Sequence, residues 1–154
     1  MIDAVILVGG MGTRLGHLTR NIPKPLLKIN NQVFIDILIS KLIKYNFNKI
    51  YLLCSYKKEK FFKLYNNKII HNSKLICIDE GIPKGTGGAL YKLKNIIKKD
   101  FVLLNGDTYF DIDISKIIKN KFKNNLCTIA LTTNKNYTKN IKINNIKINK
   151  KKII

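Results

Sequence analysis

Arginine is scarce in this sequence. It occurs only at Arg14 and Arg20, although lysine occurs 27 times and the formal charge is +20. Arginine is the side chain best shaped to read base edges and fork onto phosphates, so its scarcity weighs against a dedicated nucleic-acid binder. Acids are few as well, nine in all, and none falls between Ile114 and Ile154, where eleven lysines carry +11 and leave +9 over residues 1–113. Lys, Asn and Ile, which share A/T-rich codons, make up 73 of the 154 residues. A genomic base bias therefore accounts for the excess charge without selection for nucleic-acid binding. There are only three cysteines, Cys54, Cys77 and Cys127, with no C-x-x-C spacing and apolar neighbours. That pattern excludes a disulfide frame or zinc site and predicts buried free thiols. No apolar run reaches the roughly 18 to 20 residues of a membrane helix; the longest, Val33 to Ile43, is interrupted by Asp36, Ser40 and Lys41. The N-terminus MIDAVILVGG lacks the basic region and cleavage site of a secretory leader. A cytoplasmic protein with no membrane partner is expected.

What is present suits one core of ordinary size. Short apolar runs alternate with segments of helical period, the mark of βα units feeding a parallel sheet. Strands are predicted at Ala4 to Val8, Lys49 to Cys54, Leu75 to Ile78, Phe101 to Asn105 and Leu126 to Leu131. Helices are predicted at Phe34 to Tyr45, Lys57 to Asn66, Gly88 to Ile97 and Ser115 to Phe122, with Ser115 as N-cap. Residues 1–133 form the domain. In 134–154, Ile141, Ile143, Ile146 and Ile148 alternate with Lys and Asn about Asn144-Asn145. That tail is either a short hairpin or a disordered basic arm.

Chemistry collects at the predicted strand ends. The first strand runs into Gly9-Gly10-Met11-Gly12-Thr13-Arg14-Leu15-Gly16. Glycines there let backbone N–H groups converge on an anion, and Arg14 adds a planar cation suited to a polyphosphate. The spacing is neither G-x-G-x-x-G nor a Walker loop. In Pro23-Lys24-Pro25 two prolines are expected to hold the backbone extended around Lys24, which beside the glycine loop points to a phosphate contact. Gly85-Thr86-Gly87-Gly88 reads either as close approach for a flat ligand or as a flexible turn opening a helix. Three of the nine acids, Asp107, Asp111 and Asp113, fall within seven residues after the fourth strand. A carboxylate just past a parallel strand is where open α/β sheets place ligand chemistry, and it suits Mg²⁺ bridging to phosphate. Asp111 and Asp113 fit structural hydrogen bonds equally well.

Taken together, GGMGTRL, PKPL, GTGGAL and NGDTYFDID, in that order from Gly9 to Asp113, resemble the sugar-phosphate nucleotidylyltransferases. Within them the match is nearest to the D-glycero-D-manno-heptose 1-phosphate guanylyltransferase type. The resemblance implies an α/β fold, Rossmann-like (GT-A-like), with three layers and a mainly parallel sheet. It implies an enzyme that takes a nucleoside triphosphate, GTP being favoured, and a sugar 1-phosphate of heptose or mannose type with Mg²⁺, and makes a nucleotide sugar for polysaccharide with release of pyrophosphate. By position, Gly9, Gly10, Gly12 and Thr13 would hold the triphosphate, and Arg14 would neutralise the departing pyrophosphate. Lys24 would bind the phosphates at the reacting centre. Glu80, Gly85, Thr86, Gly87 and Gly88 would line the base and sugar side, and Asp107 would ligate Mg²⁺. The family's Glu-Lys motif, later sugar-binding strands and second metal-binding Asp have no counterpart, which implies a chain shortened at its C-terminus. The alternatives are a non-catalytic nucleotide-binding or regulatory homologue and, from another class, a basic nucleic-acid-binding protein. No specific nucleic-acid partner is expected, and homo-oligomerisation is left open.

Overall fold

The computed structural model describes residues 2–119 and 127–130. Two compact units make up the chain, Met1–Asp111 and Ile112–Ile154. The first is built on a five-stranded sheet. An interior strand, β1 (Asp3–Leu7), is flanked in parallel by β4 (Lys49–Cys54) at the sheet's centre and by β7 (Phe101–Asn105) at one edge; β6 (Ser73–Asp79) pairs parallel with β4, and β5 (Ile69–Ile70) closes the other edge antiparallel to β6. Ala4, Val5 and Ile6 are wholly buried, as expected of a middle strand covered on both faces.

The pleat sends alternate residues to opposite faces. Val5, Tyr51 and Leu53 meet Ala89 and Leu93 on one face, where Leu7, Ile76, Ile78, Leu90, Ile97 and Phe101 complete the cluster. On the other face Cys77 meets α2 (Lys58–Tyr65), its thiol 3.5 Å from the Phe61 carbonyl. The Tyr65 hydroxyl donates to Asp36 Oδ1 of α1 (Phe34–Ile43) at 2.7 Å and ties the two helices together. The buried stripe of α1 is Ile35, Leu38, Ile39 and Leu42, the i, i+3/i+4 spacing that a helix lying on a sheet requires. Helices cover both faces, so the three-layer, mainly parallel α/β architecture expected from the sequence is present.

Several boundaries differ from expectation. A small hairpin, β2 (Lys28–Ile29) with β3 (Gln32–Val33), precedes α1, and its turn residues Asn30 and Asn31 have φ of 47° and 66°. Asparagine tolerates that left-handed region better than other side chains with a Cβ. Four of the six non-glycine residues with positive φ among the described residues are asparagines, so an abundant residue type also serves the turns. The third predicted helix begins earlier and ends sooner, as α3 (Gly85–Tyr91). Beyond it the amides of Lys92, Leu93, Lys94 and Ile96 each bond to the carbonyl three residues back, so the chain tightens into turns where the hydrophobic period had suggested more α-helix.

In the second unit, α4 (Ile114–Lys119) is capped by Asp113, not by Ser115 as the sequence suggested. Asp113 Oδ1 accepts from the Ser115 amide at 2.9 Å and hydroxyl at 2.6 Å, which satisfies an N–H the helix leaves unpaired. Cys127 to Ala130, expected in a strand, have no regular structure and are exposed. Cys127 is accordingly an exposed thiol, whereas Cys54 and Cys77 are buried and free as expected. The ends of that predicted strand and the predicted hairpin lie outside the described residues.

One glycine decides how β7 delivers the residues beyond it. The Gly106 amide donates to the Leu7 carbonyl at 2.8 Å, and a Cβ at Gly106 would lie 2.6 Å from that same oxygen and 2.7 Å from Val8 Cγ1. Gly106→Ala is expected to destabilise the fold by about 1–3 kcal/mol in urea titration, the usual cost of overpacking. Gly87→Ala, with nothing within 4 Å of the added carbon, is expected to stabilise α3 by about 0.5–1 kcal/mol through helix propensity.

Candidate active site

A cleft of about 610 Å³ opens at the carboxyl ends of β1, β6 and β7, the edge where parallel sheets place their ligands. Its floor is the chain leaving β1. The Val8 amide still bonds to the Leu53 carbonyl at 3.0 Å. Gly9 then passes so close to the next loop that a Cβ would overlap the Glu80 carboxylate and stand 3.0 Å from Ser55 Cβ. Gly12 has φ of 65° and turns the chain back. The Leu15 amide and the Thr19 hydroxyl both donate to the Gly12 carbonyl at 3.0 Å.

This loop is fastened from outside by residues the sequence reading missed. Thr19 is buried, and the Tyr56 hydroxyl stands 3.0 Å from the Thr19 carbonyl and 2.9 Å from that of Arg20. Ser55 donates to the Gly81 carbonyl at 3.0 Å, Asp79 Oδ1 accepts from the Gly81 amide at 2.9 Å, and Lys58 pairs with the other Asp79 oxygen. These bonds set the turn that presents Glu80. The available signal was position: Ser55 and Tyr56 directly follow a strand's carboxyl end, as the glycine loop does.

Lys24 reaches the cleft differently from expectation. It opens a single 3₁₀ turn, Lys24–Leu26, closed by the Leu26 amide on Pro23 O and the Leu27 amide on Lys24 O; the backbone is extended at Pro23 before the turn and at Leu27 after it, not at Lys24 itself. Pro25 fits because the start of such a turn needs no N–H. From there the Lys24 ammonium reaches Asp107 Oδ2 at 2.9 Å, joining residues 83 apart. That ammonium holds the Asp107 carboxyl below the usual carboxylate range, with Thr108 Oγ1 donating to the other oxygen at 3.1 Å. Glu80 is the contrasting acid. Burial, then the neighbouring Asp79 charge, push it up, and its carboxylate has no hydrogen-bond or ion-pair partner among the described residues. Two acids driven in opposite directions within one cleft commonly mark a division of labour.

Of the residues singled out in the sequence, Gly9, Gly10, Gly12, Thr13, Arg14, Lys24, Glu80, Gly85, Thr86 and Asp107 line this cleft, with Asn105 beside them. Gly87 and Gly88 lie on α3 and are not among its lining residues. Asp111 points elsewhere, pairing with Lys41 at 3.1 Å, and Asp113 caps α4. Arg14 has no ion-pair partner among the described residues. Nor does any cluster of three or more His, Cys, Asp or Glu side chains among them fit a metal ion. No helix there is long and apolar enough to cross a membrane.

A glycine cradle with two cations and an ionised acid at the carboxyl edge of a parallel sheet defines an α/β protein shaped to receive a polyanion. The sequence matches the nucleotidyl transferase family over residues 3–141, and the chain belongs to that family. It is 37% identical over 122 residues to the D-glycero-alpha-D-manno-heptose 1-phosphate guanylyltransferase of Campylobacter jejuni, covering 79% of this chain and 55% of that protein. Over 123 residues it is 41% identical to the bifunctional protein GlmU of Methanococcus aeolicus, covering 80% of this chain and 29% of that one. Among solved structures, HddC from Yersinia pseudotuberculosis complexed with GMP-PN matches with TM-score 0.68 and 38% identity, over 77% of this chain and 53% of that one. The chain thus spans about half the length of the guanylyltransferase it matches.

Proposed function

We propose that the chain binds GTP with Mg²⁺ and belongs to an enzyme that joins GMP to a sugar 1-phosphate of heptose or mannose type, releasing pyrophosphate, in the cytoplasm. The observation that carries this reading is the Lys24–Asp107 pair facing the Gly9–Arg14 loop across one cleft. A phosphate oxygen of the sugar 1-phosphate attacks the α-phosphorus of the triphosphate in line; one P–O bond forms and the bond to the β-phosphate breaks. Such a transfer needs positioning and charge neutralisation more than a covalent intermediate. The loop amides hold the triphosphate, Arg14 neutralises the outer phosphates as they leave, and Lys24 holds those at the reacting centre.

The residues suit Mg²⁺. Asp107 is the carboxylate of the cleft that a neighbouring ammonium holds below the usual range, and Mg²⁺ takes one or two carboxylates with phosphate oxygens while keeping several waters. When bound, the ion would draw charge off the phosphate oxygens.

Guanine is favoured by the chemistry of Glu80. Along its Watson–Crick edge guanine offers two adjacent donors, N1–H and the N2 amino group, which an unpartnered carboxylate accepts together. Adenine and cytosine set an acceptor beside their donor, and uracil flanks its one donor with carbonyls. Charged hydrogen bonds of this kind contribute about 1.5–3 kcal/mol. Thermal-shift titration with the four triphosphates and Mg²⁺ is expected to show GTP stabilising the fold most, with that preference lost in Glu80→Gln. A UTP or CTP preference would overturn the guanine assignment, and a flat response to all four would overturn nucleotide binding. Pyrophosphate release with candidate sugar 1-phosphates separates transfer from binding alone.

A further inference from the structure

We propose that Lys41 is the positioning residue for Asp107: its ammonium clamps the segment Tyr109–Asp111 onto α1 and so fixes the carboxylate just upstream. This rests on the reading of Asp107 as the acid that meets the cation.

Asp107 stands at the start of an irregular stretch. On one side it is anchored by Gly106, whose amide bonds to β1. On the other, apart from the Thr108 amide on the Asn105 carbonyl of β7 at 3.5 Å, the hydrogen bonds that tie residues 108–111 to elements outside their own loop come from Lys41, among the described residues. The ammonium donates to the Phe110 carbonyl and to Asp111 Oδ1, and lies 5.1 Å from the Tyr109 ring centroid and 5.2 Å from that of Phe110. A cation held by a carbonyl, a carboxylate and two ring faces has few alternatives to that geometry. Its base is rigid, because Lys41 lies between the buried Ile39 and Leu42 on α1.

The clamp matters when the site is filled. Lys24 itself pairs with Asp107. Once Lys24 turns to phosphate, Asp107 depends on its own backbone for placement, and partners behind a metal ligand typically govern affinity by about 10–100-fold. Lys41 also borders a second, open cleft of about 730 Å³, so shortening its polar end leaves no sealed void in the core.

The test measures GTP dissociation constants by calorimetry in Mg²⁺ and in EDTA, the ratio being the metal enhancement, alongside melting curves. Lys41→Met keeps the side-chain stem and removes the charge. It is expected to cut the enhancement about tenfold or more while changing affinity in EDTA less than about twofold; Lys41→Arg is expected to restore it. Asp111→Asn, which removes a single, largely exposed partner of the clamp, is expected to lower the enhancement about two- to fourfold and serves should Lys41→Met fail to fold. Full enhancement in Lys41→Met, or equal weakening with and without Mg²⁺, would overturn the proposal alone. Absence of any enhancement in the wild type would overturn the reading of Asp107, and this proposal with it.

Discussion

Asp107→Asn is expected to abolish the Mg²⁺-dependent part of nucleotide binding while leaving binding in EDTA intact or slightly tighter. The sign follows from the ion pair. In the wild type, Asp107 both attracts a cation and occupies the Lys24 ammonium at 2.9 Å. Asparagine loses the charge, so the metal gains no ionic ligand, but Lys24 is released toward phosphate. The metal enhancement should fall to about one from a wild-type value above about tenfold, since each factor of ten corresponds to 1.4 kcal/mol. Calorimetric titration of GTP in Mg²⁺ and EDTA reads both quantities. Lys24→Met should do the reverse, weakening binding in EDTA while freeing Asp107 for the ion. If Asp107→Asn keeps the full enhancement and Asp111→Asn removes it, the cation site lies on the wrong acid.

Arg14→Ala is expected to weaken GTP binding by about 10–100-fold and GMP binding by less than about threefold, because the guanidinium is assigned to the outer phosphates. Folding should be unaffected. The side chain is exposed, and among the described residues no acid is left unpaired by its removal. Equal losses for both nucleotides would move Arg14 to the α-phosphate or to the loop's own structure.

Much of this site is legible in the sequence because strand ends and glycines are local signals. The run Ala4 to Leu7 followed by Gly9-Gly10 can be read from a dozen residues, and so can Phe101 to Asn105 followed by Gly106-Asp107. Periodicity failed where the chain changes geometry without changing pattern. Leu90, Leu93 and Ile97 keep a helical spacing, yet past Tyr91 the backbone tightens into turns that still bring Leu93 and Ile97 to the core. At Ser115 the choice of cap turned on which oxygen reaches an amide two residues along, and Asp113 was equally placed by type. Around Lys24 the prolines marked a constrained backbone correctly but did not say that a 3₁₀ turn would satisfy them.

By itself, the sequence determined the order of βα units, the buried faces of β1, β4 and α1, and the identity of the loops that meet at the sheet's carboxyl edge, because those follow from period and from the special conformations of glycine and proline. Only the tertiary structure decided which side chains act on one another. Lys24 meets Asp107 because β7 lies directly beside β1 in the order β5-β6-β4-β1-β7, a neighbour relation that no local pattern encodes. The same holds for Tyr56 on the Thr19 carbonyl, for the overlap that forbids a side chain at Gly9 next to Glu80, and for Lys41 on the segment beyond Asp107. The physical reason is that hydrogen bonds and ion pairs act over a few ångströms, while the residues that make them here stand tens of positions apart along the chain.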